Sequence, residues 1–166
     1  MRNAGIQETV YWTRTVDNLR PQDSRPLPDQ TEVLIVGAGY TGLGAAMDLA
    51  RNGLQVTVVD QEDGPGQGAS GRNGGMVLSG YPLDCSALIQ RFGLKRAEAL
   101  FAASLDAVRH LEELIRQEGI SCDFDRAEHI TAAVRSSHLE WLSREQEAVA
   151  RISGRTPRVL NAEQMH

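Results

Sequence analysis

Three glycines and one carboxylate carry the clearest chemistry in the sequence. Gly37, Gly39 and Gly42 form GAGYTG, and Asp60 follows 18 residues after Gly42, at the end of an apolar run. A GxGxxG turn between a strand and a helix suits a pyrophosphate. The first glycine permits a tight turn, the second has no Cβ and lets phosphate approach the backbone, and the third lets the helix pack close to the strand. The unpaired N–H groups and positive dipole end of that helix then face the phosphates, an effect of about 0.3–2 kcal/mol per charge. A carboxylate at the end of the next strand accepts hydrogen bonds from ribose hydroxyls and repels a 2′-phosphate, which predicts FAD or NAD rather than NADP.

The stretch after Asp60 separates those two dinucleotides. A plain NAD-binding domain runs within a few residues into a second crossover helix; here QEDGPGQGASGRNGGMVLSGY follows instead. It holds six glycines from Gly64 to Gly75, with Ser70, Arg72, Asn73 and Gly74 as candidate ligand contacts. Such a loop exposes backbone together with hydroxyl, guanidinium and amide donors, and suits an extended ligand beyond its pyrophosphate. Glycine content alone would equally describe a surface loop.

The elements that must position these groups are legible as changes of period. Residues 33–36 are an uninterrupted apolar run, as expected for a parallel strand covered on both faces. Helix 41–52 carries Leu43, Ala46, Met47 and Ala50 at spacings of three and four, Gly53 closes it, and 56–59 is a second strand. Residues 94–118 read as a long amphipathic helix with Leu100, Phe101, Ser104, Val108, Leu111 and Ile115 on one face, ended by Gly119. ISCDF and HITAAV read as strands, and 138–152 as a helix with Leu139, Leu142, Val149 and Ile152 inward, interrupted at Gln146. A short apolar strand then leads to Asn161, an N-cap with Gln164 at N3, so a helix is expected to begin there. Residues 1–31 form a polar, Pro-punctuated arm with Tyr11 and Trp12 as its anchors.

VLIVGAGYTGLGAAMDLARNGLQVTVVD followed by GASGRNGG resembles the FAD-dependent amine and amino-acid oxidoreductases of the D-amino-acid oxidase superfamily, in particular the gamma-glutamylputrescine oxidase-like branch. The resemblance implies an α/β fold: a Rossmann-type FAD-binding βαβ unit plus the beginning of a substrate domain. The expected organisation is an arm at 1–31, the FAD-binding unit and flavin loop at 32–81, and a partial α+β region at 82–166 that continues beyond the chain. The resemblance also implies roles: Gly37, Gly39 and Gly42 at the pyrophosphate, Asp60 at the adenosine ribose, and Ser70 to Gly75 between pyrophosphate and isoalloxazine, with Arg72 and Asn73 as candidates for lining the flavin. The substrate would be a small amine or amino acid. Gly44, where Ser or Ala is usual, and Glu128, where glycine is common, depart from the family pattern away from the cofactor. No catalytic residue is assigned, because the family's residues over the flavin lie beyond position 166. An NAD-binding dehydrogenase module and a truncated non-catalytic remnant are the alternatives.

Composition narrows the partners. Seventeen Lys plus Arg against 22 Asp plus Glu gives a net charge of −5, which offers no basic field for nucleic acid. A sheet as incomplete as this one should leave apolar faces uncovered. No apolar run approaches the roughly 20 residues of a membrane span. Cys85 and Cys122 form no CxxC pair and no secretory segment precedes them, so two free thiols in the cytoplasm are expected. His110, His129, His138 and His166 share no metal-ligand spacing, and Ser70 lacks the GxSxG of a hydrolase nucleophile.

Overall fold

The computed structural model describes residues 11–15 and 26–165. Most of the expected arm, 1–10 and 16–25, and His166 lie outside the described residues. The chain divides into two compact units, with the break between Met76 and Val77.

In the first unit a 3-10 turn, Tyr11–Arg14, precedes β1 (Val33–Val36), α1 (Tyr40–Arg51) and β2 (Val56–Val59). The strands pair in parallel, Val33 opposite Val56 and Val36 opposite Val59. Their β-branched residues have stiff side chains that suit a pleated surface. Polar groups hold the open end of the ladder: Thr31 Oγ1 donates to Gln55 O at 2.9 Å, and Gln55 N donates to Glu32 Oε2 at 2.6 Å. Gly53 ends α1 at a φ of +84° and donates to Ala50 O at 2.9 Å. Coverage differs from the expectation for β1. Val33 and Ile35 are half-buried, whereas Leu34 is 57% and Val36 81% exposed. Among the described residues of this unit α1 alone packs on the sheet, and Leu34 and Val36 stay uncovered, as an incomplete sheet should leave apolar surface. On α1, Ala46 and Met47 are half-buried, but Leu43 and Ala50 are exposed, because a two-stranded sheet is too narrow to cover the whole stripe.

The second unit is helical: α2 (Cys85–Phe92), α3 (Leu94–Gln117) and α4 (Ser137–Ser153). The last two match the expected helices within a residue or so, while α2 is new. Leu88, Ala97 and Ile152, one from each helix, form the core, with Cys85, Ile89, Leu94, Leu100 and Phe101 packed against it. The expected α3 face from Leu100 to Ile115 is half-buried throughout. On α4, Leu142 and Val149 are half-buried and Ile152 is buried, but Leu139 is 59% exposed, at the first turn. Gln146 interrupts the apolar face because its Nε2 donates to Pro157 O at 2.8 Å.

Three expected strands do not form. ISCDF and HITAAV fall in 120–134, which has no strand pairing, and neither does the short apolar run before Asn161. A strand exists only through hydrogen bonds to a neighbour, and among the described residues the only ladder is β1 with β2. The cap at Asn161 does form. Asn161 N donates to Gln164 Oε1 at 2.9 Å and Gln164 N donates to Asn161 Oδ1 at 3.0 Å, a reciprocal box opening a 3-10 turn, Ala162–Met165.

Candidate cofactor site

The glycine turn is held from both sides. Gly37, at a φ of +109°, donates to Val59 O at 2.7 Å, continuing the ladder out of β1. Ala38 N donates to Asp60 Oδ2 at 2.6 Å, and Ala38 O accepts from Gly66 N at 2.9 Å. Asp60 Oδ1 also accepts from Glu62 N at 2.9 Å. These backbone donors, Ala38 first and Glu62 next, hold the Asp60 carboxyl below its ordinary value of 3.8 against an opposing desolvation effect. The Gln61 backbone adds a third, weaker contribution, and the two oxygens together offer about four acceptor sites, so the carboxylate keeps some acceptor capacity for a ligand hydroxyl. The sequence places Asp60 at the strand end; only the fold shows it bracing the turn.

Gly42 admits no side chain. A Cβ there would overlap Gly37 O and stand 3.1 Å from Gly37 C and 3.3 Å from Ile35 Cγ2, which is the close contact between helix and strand that the spacing requires. Gly39 is the N-cap of α1 and contributes no side-chain cap. A Cβ on Gly39 would stand 2.9 Å from Ser70 Oγ. That hydroxyl accepts from Tyr40 N at 3.0 Å, so Ser70 comes from 30 positions away to serve as the cap that Gly39 cannot provide. Among the described residues, Thr41 and Gly42 N–H have no acceptor, as first-turn donors of a helix do unless something else supplies one.

The loop from Ser70 to Gly75 is organised by Asn73. Its Nδ2 donates to Ser70 O at 2.7 Å and Ala69 O at 3.3 Å, and its Oδ1 accepts from Gly75 N at 2.8 Å. Asn73 thus spends its amide on the loop itself. Arg72 is exposed, and its guanidinium has no partner among the described residues. Gly74 lies open beside Met76 Cε, 3.8 Å from where a Cβ would stand. Gly37, Gly39, Gly42, Asp60 and Ser70 are therefore brought together around the start of α1, while Asn73 reaches that group through Ser70. No local pattern announces the bonds from Asp60 to Ala38 or from Ser70 to Tyr40, which cross 22 and 30 positions.

A family model described as FAD dependent oxidoreductase matches residues 32–166. The chain belongs to the FAD-dependent oxidoreductase family. The cofactor of this family is FAD, and the match includes both the glycine turn and Ser70 to Gly75. The chain is 29% identical over 152 residues to gamma-glutamylputrescine oxidoreductase of Escherichia coli, covering 92% of this chain and 35% of that protein. It is 32% identical over 114 residues to the probable oxidoreductase OrdL of Haemophilus influenzae, covering 69% of this chain and 26% of the relative. Over 50 residues it is 44% identical to D-amino acid dehydrogenase 2 of Ralstonia nicotianae, covering 30% of this chain and 12% of the relative. The chain thus spans about a third or less of the length of these family members. No solved structure gives a significant match.

Cys85 and Cys122 are both free, and Cys85 lies in the helical unit. Burial, then the charges of Glu145 and Asp84, push the Cys85 thiol above its ordinary value, which disfavours the thiolate. No helix among the described residues is long and apolar enough to cross a membrane.

Proposed function

We propose that this chain is the FAD-binding part of an enzyme that oxidises a C–N bond of a small amine or amino acid. The observation that carries the reading is the cradle at the start of α1. Gly42 can bear no Cβ, two first-turn N–H groups have no acceptor among the described residues, and Ser70 takes the N–H of Tyr40. Open donors at a positive helix end suit a pyrophosphate. The names of the relatives, a gamma-glutamylputrescine oxidoreductase and a D-amino acid dehydrogenase, support an amine or amino acid as substrate.

Gly37, Gly39 and Gly42 would line the pyrophosphate, and Asp60 would accept the adenosine ribose hydroxyls with the acceptor sites its backbone donors leave free. Ser70, Arg72, Asn73 and Gly74 would follow the ligand onward, Arg72 with its exposed charge and Asn73 by shaping the loop. When bound, FAD supplies the hydride-accepting chemistry. The protein's share is to exclude a 2′-phosphate by the charge on Asp60 and to keep the phosphate donors aimed. The two free cysteines support a reducing compartment, the cytoplasm.

The protein as its gene encodes it should purify with flavin absorbance bands. Asp60→Ala should lower FAD affinity about tenfold, the size of one charge-assisted hydrogen bond. A protein with no flavin bands, or a variant that holds FAD as well as the wild type, would refute the assignment. Because the folded carboxyl sits below 3.8, Asp60 stabilises the fold above that pH, and the contribution disappears as pH falls through the lower folded value. The variant should therefore lose part of the wild type's acid-limb dependence in a pH series of thermal melts.

A further inference from the structure

We propose that Trp12 is a positioning residue for the loop 69–75, and through it for the flavin; the second half rests on the flavin reading above. The indole Nε1 donates to Asn73 O at 2.9 Å, across 61 positions of sequence. The ring lies over Gly75: a Cβ there would stand 2.8 Å from Trp12 Cζ2 and 2.9 Å from Cη2, and Gly75 has a φ of +72°. Gly75 is therefore a glycine for two reasons, its backbone conformation and the indole above it.

The indole is itself held. Trp12 O accepts from Thr15 N at 3.1 Å and Thr15 Oγ1 at 3.0 Å, which closes the turn Tyr11–Arg14. Tyr11 meets the indole edge to face, with ring centroids 5.0 Å apart and planes at 85°. On the other side, the residues Trp12 touches are the ones that order the loop. Asn73 joins Ser70 O to Gly75 N through its amide, and Ser70 Oγ takes the first N–H of α1. A run of contacts thus links Trp12 to the start of α1, entirely within the first unit.

The physical reason for such a roof is entropy. Glycine loses more backbone freedom on ordering than any other residue, and Gly71, Gly74 and Gly75 fall within this short loop. A loop that must be ordered by its ligand binds that ligand more weakly than one ordered beforehand. The rigid indole supplies one donor and one flat apolar surface at little side-chain entropy cost, and it fixes both Asn73 and Gly75.

The test uses the protein as encoded, with Trp12→Phe, Trp12→Ala and Gly75→Ala. In the flavin-free protein, hydrogen exchange of the amides in 72–75 should speed up by about tenfold in Trp12→Ala and Gly75→Ala. FAD affinity, titrated by quenching of flavin fluorescence, should fall about tenfold in both, and about threefold in Trp12→Phe, which keeps a smaller aromatic ring but loses the donor. Far-UV circular dichroism should match the wild type. Unchanged exchange at 72–75 overturns the positioning role, and so does faster exchange with FAD affinity preserved. Gly75→Ala approaches the same contact from the opposite side, so a folding defect in either variant leaves the other to decide. If the wild type binds no FAD, the flavin reading fails, and this inference fails with it; a wild type that binds FAD while the variants bind it equally well sinks the inference alone.

Discussion

The two units of the chain are held together by different kinds of force. In the helical unit, Leu88, Ala97 and Ile152 are buried at 2%, 0% and 7% exposure and come from three helices. In the first unit only Ala38 is buried among the hydrophobic residues described. Its order rests instead on side-chain bonds to backbone: Asp60 to Ala38, Ser70 to Tyr40, Asn73 to the loop and Trp12 to Asn73. Packing tolerates little change of volume, and the hydrophobic force that drives it has no direction. Hydrogen bonds are directional, and a unit built from them places donors and acceptors at chosen points. The described order of the first unit comes mainly from directional bonds, that of the second mainly from packing.

Substitutions should separate these two modes. The largest expected effect is Leu88→Ala, which empties a core position and should cost about 2–5 kcal/mol. Thermal melts would register it, and FAD affinity of the folded protein should stay at the wild-type value; a parallel loss of affinity would break the contrast. Next comes Gly42→Ala, where the new methyl meets a backbone carbonyl that has no free rotamer with which to move aside. It should cost about 1–3 kcal/mol as overpacking, and in contrast to Leu88→Ala should also weaken FAD binding in a fluorescence titration.

The smallest effect falls where the helical unit borrows the other mode. Glu145 on α4 accepts from Cys85 N at 2.8 Å and Ser86 N at 3.1 Å, capping α2 from another helix, while Asp84 Oδ2 accepts from Trp141 Nε1 at 3.0 Å. Glu145→Gln keeps an acceptor but removes the charge at a positive helix end, and should cost about 0.3–1 kcal/mol. It should also lower the Cys85 pKa, since a carboxylate that disfavours the thiolate is gone, leaving burial as the main cause of the raised value. The pH profile of thiol modification should move toward lower pH; a profile that stays in place would mean that the Glu145 charge does not act on the thiol.

Much of the architecture was readable because it is local. The βαβ unit, the α3 and α4 helices and the Asn161–Gln164 box are each written within a short window by period, glycine or cap, and the structure returns them nearly at the expected ends. Helix α2 escaped notice because CSALIQRF is only eight residues long, too few turns for a period to stand out, although Gly93 at its end has a φ of +77° and Asp84 stands at its start. ISCDF and HITAAV failed for the opposite reason, since apolar patterning states a preference for strand but supplies no partner.

What the sequence determined by itself, then, is the βαβ unit, its phosphate-type glycine turn and the acid at the end of β2, because chain geometry over a few residues leaves few alternatives. Only tertiary structure decided that Asp60 braces Ala38, that Ser70 caps α1 in place of Gly39, that Trp12 roofs Gly75 and that Glu145 caps α2. Each of these joins residues more than 20 positions apart. Such contacts are selected by the packing of whole elements, and no spacing along the chain encodes them.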